Sequence, residues 1–216
     1  MTELLRTLSD RLGPAHTALI VVDMQNDFCA PGGYVANLGR DVSACGAIVP
    51  AVNALVAGAR ANGVPVIWLM AEYEDADVPA PMLAKKMEMG VRAISCAHGT
   101  WGAEPFGVTP LPNEPVVVKH CYSGFVGTDL QARLAAGNIA TLVFAGVQTN
   151  VCVDSTLRDG HSLGHYIVVA GDCVASHMPA AHAATLDNVR FLFGDVADGA
   201  AIVSTWHAAA ALTPSS

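Results

Sequence analysis

Three side chains in this chain of 216 residues are of the types that acyl transfer needs, and each follows a strand-like run. Cys152 comes after Ile139-Ala-Thr-Leu-Val-Phe-Ala145, an apolar run of strand length, by way of Gly146 and a polar Thr149-Asn150 pair suited to a helix start. A cysteine at a helix start lies near free backbone N–H groups and the positive end of the helix dipole. Both favour a thiolate nucleophile, and the same donors can hold an oxyanion. The thiol is equally compatible with a small buried hydrophobe. Asp23 closes Thr17-Ala-Leu-Ile-Val-Val22, a run typical of a central strand covered on both faces; there a carboxylate either caps the next turn or pairs with a charge. Lys119 closes Val116-Val-Val118, predicted as a short buried strand, and its ammonium either reaches water or pairs inside the fold, with Asp23 as the natural partner. Open parallel sheets take their ligands at the carboxyl ends of strands, so the three residues together outline one site.

The elements that must position them alternate between strand and helix. Helical spacing of Ile48, Val52, Leu55, Val56 and Ala59 predicts a helix within residues 42–62, stopped by Gly63, and Val64-Pro-Val-Ile-Trp-Leu69 follows as a second strand. Strand, helix, strand in that order implies a parallel unit with a right-handed crossover. Further on, the pattern predicts a helix over 128–136, a strand over 166–170 ending in a Gly171-Asp172 turn, and a helix over 178–187. An edge strand over 189–193 and a last helix over 197–212 complete it. The expected fold is α/β: three layers, an open, mainly parallel six-stranded sheet with helices on both faces. Residues 70–115 lose the rhythm and are expected to form an irregular lid or oligomer arm over the site. There Trp101 is either a pocket wall or an interface anchor, and Lys85, Lys86 and Arg92 either meet a substrate carboxylate or form a solvated face. Phe28 either walls the pocket or anchors its loop, Tyr122 follows Lys119 on the same loop, and His177 and His182 are assigned to the surface or an interface.

Hydrophobic residues make up 52% of the chain and charged residues 14%, more apolar side chain than the sheet alone would cover, so a homo-oligomer, dimer or tetramer, is expected. A net charge of -8 repels phosphate backbones and anionic lipid, which argues against nucleic-acid and membrane partners. No apolar run is read as long enough to span a bilayer and residues 1–14 lack the core of a signal peptide, so a cytoplasmic protein is expected. The six cysteines are read as free thiols; without C-x-x-C, H-x-H or H-E-x-x-H spacings, no metal and no cofactor is expected. No linker or repeat divides residues 1–216, which are read as one domain.

Ala18-Leu-Ile-Val-Val-Asp-Met-Gln-Asn-Asp-Phe28, the isolated Lys119 and Gly146-Val-Gln-Thr-Asn-Val-Cys152 resemble the isochorismatase-like cysteine hydrolases, over nearly the whole chain. The resemblance implies a catalytic triad of Asp23, Lys119 and Cys152, a cis peptide at Val147-Gln148, and an oxyanion hole from the backbone amides of Gln148 and Cys152. Gln25, Phe28, Glu72, Trp101, Tyr122, Val147 and Gln148 are the candidate substrate-binding residues. Metal-dependent nicotinamidases of this family carry histidines after the second strand, where Met70-Ala-Glu-Tyr-Glu-Asp-Ala-Asp77 has none, and isochorismatases that cleave a vinyl ether lack the cysteine. A metal-independent amide hydrolase remains. Tyr122-Ser-Gly124, Asn150-Val-Cys-Val-Asp-Ser-Thr-Leu-Arg-Asp-Gly160 and Phe193-Gly194 look like ureidoacrylate amidohydrolases, although Ala71 stands where an asparagine is expected. Ala76-Asp-Val-Pro79 looks like the biuret hydrolases, although His120-Cys-Tyr122 lacks their second lysine. Both groups cleave R-NH-CO-NH2, so the implied function is cleavage of a small carbamoyl or ureido compound through an S-acyl enzyme with release of ammonia. A catalytically idle oligomeric scaffold is the reading from another class, and it would have no selectively reactive thiol.

Overall fold

A computed structural model of the chain describes residues 4–89 and 95–212; Arg92 lies outside the described residues. Six strands, β1 (Thr17–Val22), β2 (Val66–Ala71), β3 (Val116–Lys119), β4 (Thr141–Val147), β5 (Tyr166–Ala175) and β6 (Gly194–Ala197), form one sheet in the order β3-β2-β1-β4-β5-β6. Every ladder is parallel. β1 is central and all six of its residues are buried, as a continuous β-branched and apolar run requires. From β1 the chain winds outward through β2 and β3, then crosses back to β4 and winds out the other way. Loops leaving β1 and β4 therefore diverge and open a crevice between them, the topological switch point of the sheet.

The main helices are α1 (Val49–Ala61), α2 (Ala80–Glu88), α3 (Leu130–Ala136), α4 (Asp154–Ser162), α5 (Pro179–Asn188) and α6 (Gly199–Leu212). The period of two along each strand splits the core. Leu19, Val21, Val66, Trp68, Val143 and Ala145 meet α1 and α6 through Val52, Leu55, Val56, Ile202 and Trp206. On the other face Ala18, Ile20, Val22, Leu69, Leu142 and Phe144 meet α3, α4 and α5 through Leu130, Leu134, Leu157 and Leu186. Each fully buried side chain of this size contributes roughly 1.5–3 kcal/mol, so the sheet is a rigid platform for whatever stands at its carboxyl edge.

Several elements differ from the sequence expectation. Within 70–115 there is a regular helix, α2, whose prolines sit at its N-cap and first turn, where the missing N–H costs nothing. The second part of that segment is stitched to the loop after β1. Asn26 N donates to Glu104 O at 3.0 Å, Asn26 Nδ2 to Trp101 O at 2.8 Å, and Cys96 N to Asp27 Oδ2 at 2.6 Å. β3 is an edge strand, with Val116 and Val118 outward and only Val117 and Lys119 inward. Gly171-Asp172 is no turn: β5 runs on to Ala175 through an irregularity against β4. Val189–Phe193 is a wide helical turn continuing α5, and the edge strand is β6. The helical stretch Ser43–Ala61 is long and apolar enough, by length and composition, to cross a membrane, contrary to the reading that no run is; in this fold its Val52, Leu55, Val56 and Ala59 are packed in the core.

Candidate active site

The crevice gathers the ends of β1, β2, β3 and β4. Asp23, the residue after β1, has φ 49°, a left-handed conformation that aspartate tolerates better than most side chains. Gly146 pairs with Val22 in the β1–β4 ladder at φ 106°, and a Cβ there would lie 2.0 Å from Val22 O, so only glycine lets the two strands meet beside the site. The Val147-Gln148 peptide is cis. Cys152 follows in the wide helical turn Thr149–Val153, which leads directly into α4.

Lys119 is fully buried, and its Nζ donates to Asp23 Oδ2 at 2.9 Å, Tyr73 Oη at 2.8 Å and Cys121 O at 3.2 Å. All three ammonium protons are thus used. Burial pulls the lysine pKa down, but the charges of Asp23 and Cys152 outweigh it and hold the ammonium above its ordinary value. Asp23 is shifted upward because burial outweighs the attraction of Lys119 and the contact with Cys152. Its second oxygen, Oδ1, is buried without a hydrogen-bond partner among the described residues, which leaves a lone pair free for a proton. Burial first, and then the charge of Asp23, push the Cys152 thiol up to about 12, against the opposing pull of Lys119 and of Tyr73. This corrects the expectation of a resting thiolate: desolvation wins over the helix terminus, and the site holds a neutral thiol beside a base.

Tyr73 is the functional residue that the sequence did not single out. Its hydroxyl accepts from Lys119, donates to Cys121 O at 3.1 Å and lies 3.6 Å from Cys152 Sγ, while its ring lies 6.2 Å from Phe28 and 6.4 Å from Tyr122. The loop carrying Cys152 is clamped by the far side of the crevice. Gln148 Oε1 accepts from the backbone N–H of His177 at 3.0 Å and from its ring Nδ1 at 3.2 Å; Thr149 Oγ1 pairs with His182 Nδ1 at 2.9 Å. Both histidines are half-buried against this loop rather than free on the surface, and burial lowers the pKa of each.

A cavity of about 620 Å³ opens above Asp23 and Cys152. Phe28, Tyr73, Tyr122, Gln148, Cys152 and His177 form its base and walls, so Phe28 is a wall as well as a loop anchor, and Met82, Lys85, Lys86 and Met89 cover it from the α2 side. Four expected substrate contacts are not in it. Gln25 spends its amide on Ala71 O, Ala103 O and Ala71 N, tying the end of β2 to the arm. Glu72 turns outward to His98 at 3.1 Å, and Trp101 is 51% exposed; neither lines the cavity. Val147 is wholly buried in the core and does not line the cavity.

Comparison with known proteins agrees with this geometry. The model of the isochorismatase domain matches residues 17–201. The chain is 40% identical over 207 residues to the ureidoacrylate amidohydrolase RutB of Methylobacterium radiotolerans, covering 89% of this chain and 80% of that one. Among solved structures, a cysteine hydrolase from Pseudomonas syringae pv. phaseolicola superposes with a TM-score of 0.82 at 27% identity, over 97% of this chain and 100% of that one. An N-carbamoylsarcosine amidase from Thermoplasma acidophilum superposes with a TM-score of 0.70 at 26% identity, over 85% of this chain and 96% of that one.

Proposed function

The chain belongs to the isochorismatase family, as a hydrolase of small non-peptide C–N bonds, and from that premise we propose that Cys152, Asp23 and Lys119 cleave the carbamoyl group of a small ureido compound. The observation that carries this reading is the buried Asp23–Lys119 pair, whose free Asp23 Oδ1 stands ready beside a buried neutral thiol. The names of two similar proteins, a ureidoacrylate amidohydrolase and an N-carbamoylsarcosine amidase, both denote carbamoyl substrates and support the substrate class.

The reaction follows from the contacts. Asp23 takes the Sγ proton as sulfur attacks the carbamoyl carbon, and the carbonyl π pair moves onto oxygen. Backbone amides of Gln148 and Cys152 receive the oxyanion; one such donor is worth about 10²- to 10³-fold in rate. The tetrahedral species collapses, the C–N bond breaks, and Asp23 returns its proton to the departing nitrogen. Water then attacks the S-acyl carbon while Asp23 again accepts a proton, and the thiol is restored. Lys119 holds Asp23 in register and lowers the cost of negative charge on sulfur. A homo-oligomer is part of the same proposal: Phe191 is 81% and Leu192 60% exposed, apolar surface that a sister subunit would cover, which light scattering on the eluting protein tests.

Ammonia release from ureidoacrylate, biuret, N-carbamoyl amino acids, nicotinamide and simple aliphatic amides tests the substrate class. Turnover concentrated on carbamoyl compounds is expected. Turnover confined to nicotinamide or aliphatic amides would overturn the assignment.

A further inference from the structure

We propose that Lys86 anchors a carboxylate on the substrate, so that the site selects anionic ureido acids over their neutral counterparts. The inference rests on the carbamoyl-hydrolase reading and narrows it. Lys86 lies on α2 and lines the cavity. Its Nζ is shielded from solvent and has no hydrogen-bond partner among the described residues, although an ammonium carries three donors. Aromatic faces hold it: Nζ is 5.9 Å from the centroid of Tyr34 and 5.7 Å from that of Tyr73. Asp75 acts on it electrostatically without a hydrogen bond.

The other lysines nearby are satisfied. Lys119 uses every proton, and Lys85 is exposed and paired with Glu88 at 2.9 Å. An ammonium without a protein partner, on a flexible side chain that lines a cavity, turns to an acceptor that arrives with the ligand. Charge points the same way. The chain carries a net -8, yet the charged residues described in the cavity lining are Arg40, Lys85, Lys86 and Asp23; with Lys85 matched by Glu88 and Asp23 by Lys119, Arg40 and Lys86 leave the lining positive. Such a cationic hollow in an acidic protein concentrates anions. Tyr73 links the two: its hydroxyl is 3.6 Å from the nucleophilic sulfur and Lys86 Nζ lies over its ring, 5.7 Å from the centroid, so nucleophile and anchor flank one side chain. A carbamoyl group on Cys152 and a carboxylate on Lys86 would be joined by a short carbon chain.

The test compares N-carbamoyl-β-alanine with its neutral carboxamide, by kcat/KM in the active enzyme and by calorimetric binding to Cys152→Ser. The acid is expected to be favoured by roughly tenfold or more, the scale of one hydrogen bond to a charged group. Lys86→Met, which keeps the stem of the side chain, should bring the ratio close to one, and Lys86→Arg should retain most of the preference. An unchanged ratio in Lys86→Met overturns the anchor. So does an equal loss in Lys85→Met, which would assign the preference to the general field of the rim. If the active enzyme cleaves neither probe, the wider panel decides the carbamoyl-hydrolase reading, and the binding ratio in Cys152→Ser with and without Lys86→Met still decides the anchor.

Discussion

Tyr73→Phe removes one oxygen atom from the centre of the site and leaves the ring against Phe28 and Tyr122. That oxygen accepts from Lys119 at 2.8 Å and lies 3.6 Å from Cys152 Sγ. Cys121 O keeps its bond from Lys119, so the unsatisfied group in the variant is one proton of a fully buried ammonium. A hydrogen bond to a charged group is worth about 1.5–3 kcal/mol, which corresponds to a loss of roughly 10- to 150-fold in kcat/KM. The hydroxyl also pulls the Cys152 pKa down, so its removal raises a value that already stands at about 12. At any lower pH the thiolate fraction then falls about tenfold for each unit of that rise. Iodoacetamide alkylation across pH, mapped to the peptide that carries Cys152 because the other five cysteines are also free, reads the shift directly. The reaction profile should move to higher pH and kcat should fall more than KM changes. An unmoved profile with unchanged kcat, beside a lowered melting temperature, would refute the reasoning and leave Tyr73 a packing residue.

Lys119→Met should abolish turnover and cost about 3–5 kcal/mol of stability in urea titrations, since it leaves the Asp23 carboxylate buried without its partner. Its Cys152 alkylation profile should also move to higher pH, because the lysine charge pulls the thiol pKa down. Burial raises Asp23 above the ordinary carboxylate value of 3.8, and the base must be ionised to act. The kcat/KM profile should therefore rise with pH along a limb above 3.8, and a limb at or below it would remove Asp23 as the base. Gly146→Ala would place a methyl 2.0 Å from the backbone oxygen of Val22 at a left-handed φ, so the variant should lose soluble yield or melt well below the parent protein in a thermal scan.

The meeting of Asp23 and Lys119 was legible because a polar residue that ends a strand-like run lies at the carboxyl edge of the sheet: Asp23 follows the buried Thr17–Val22, and Lys119 ends Val116–Lys119, although Val116 and Val118 face outward. Tyr73 was not legible, because its role depends on sheet order. β2 lies between β1 and β3, which puts Tyr73, two residues past the end of β2, between Asp23 and Lys119, and no local pattern records that. Gln25 misled in the opposite sense: it adjoins the aspartate motif, but its amide is consumed by Ala71 and Ala103, 46 and 78 residues away. His177 reached the site because β5 runs five residues beyond the apolar stretch that marked it, carrying the chain through Ala175 to the crevice. The prolines of α2 read as loop punctuation although they stand at a helix start. The thiol shows a local signal overruled: the helix start favours the thiolate, and burial beside Asp23 outweighs it.

Ammonia release by the purified protein beside Cys152→Ala, on the best carbamoyl substrate, tests the nucleophile most directly. The variant should keep the fold and melting temperature of the parent and lose at least about 10⁴-fold in turnover, as removal of an enzyme nucleophile does. Substantial turnover by folded Cys152→Ala would contradict the account, because no S-acyl intermediate could then carry the reaction.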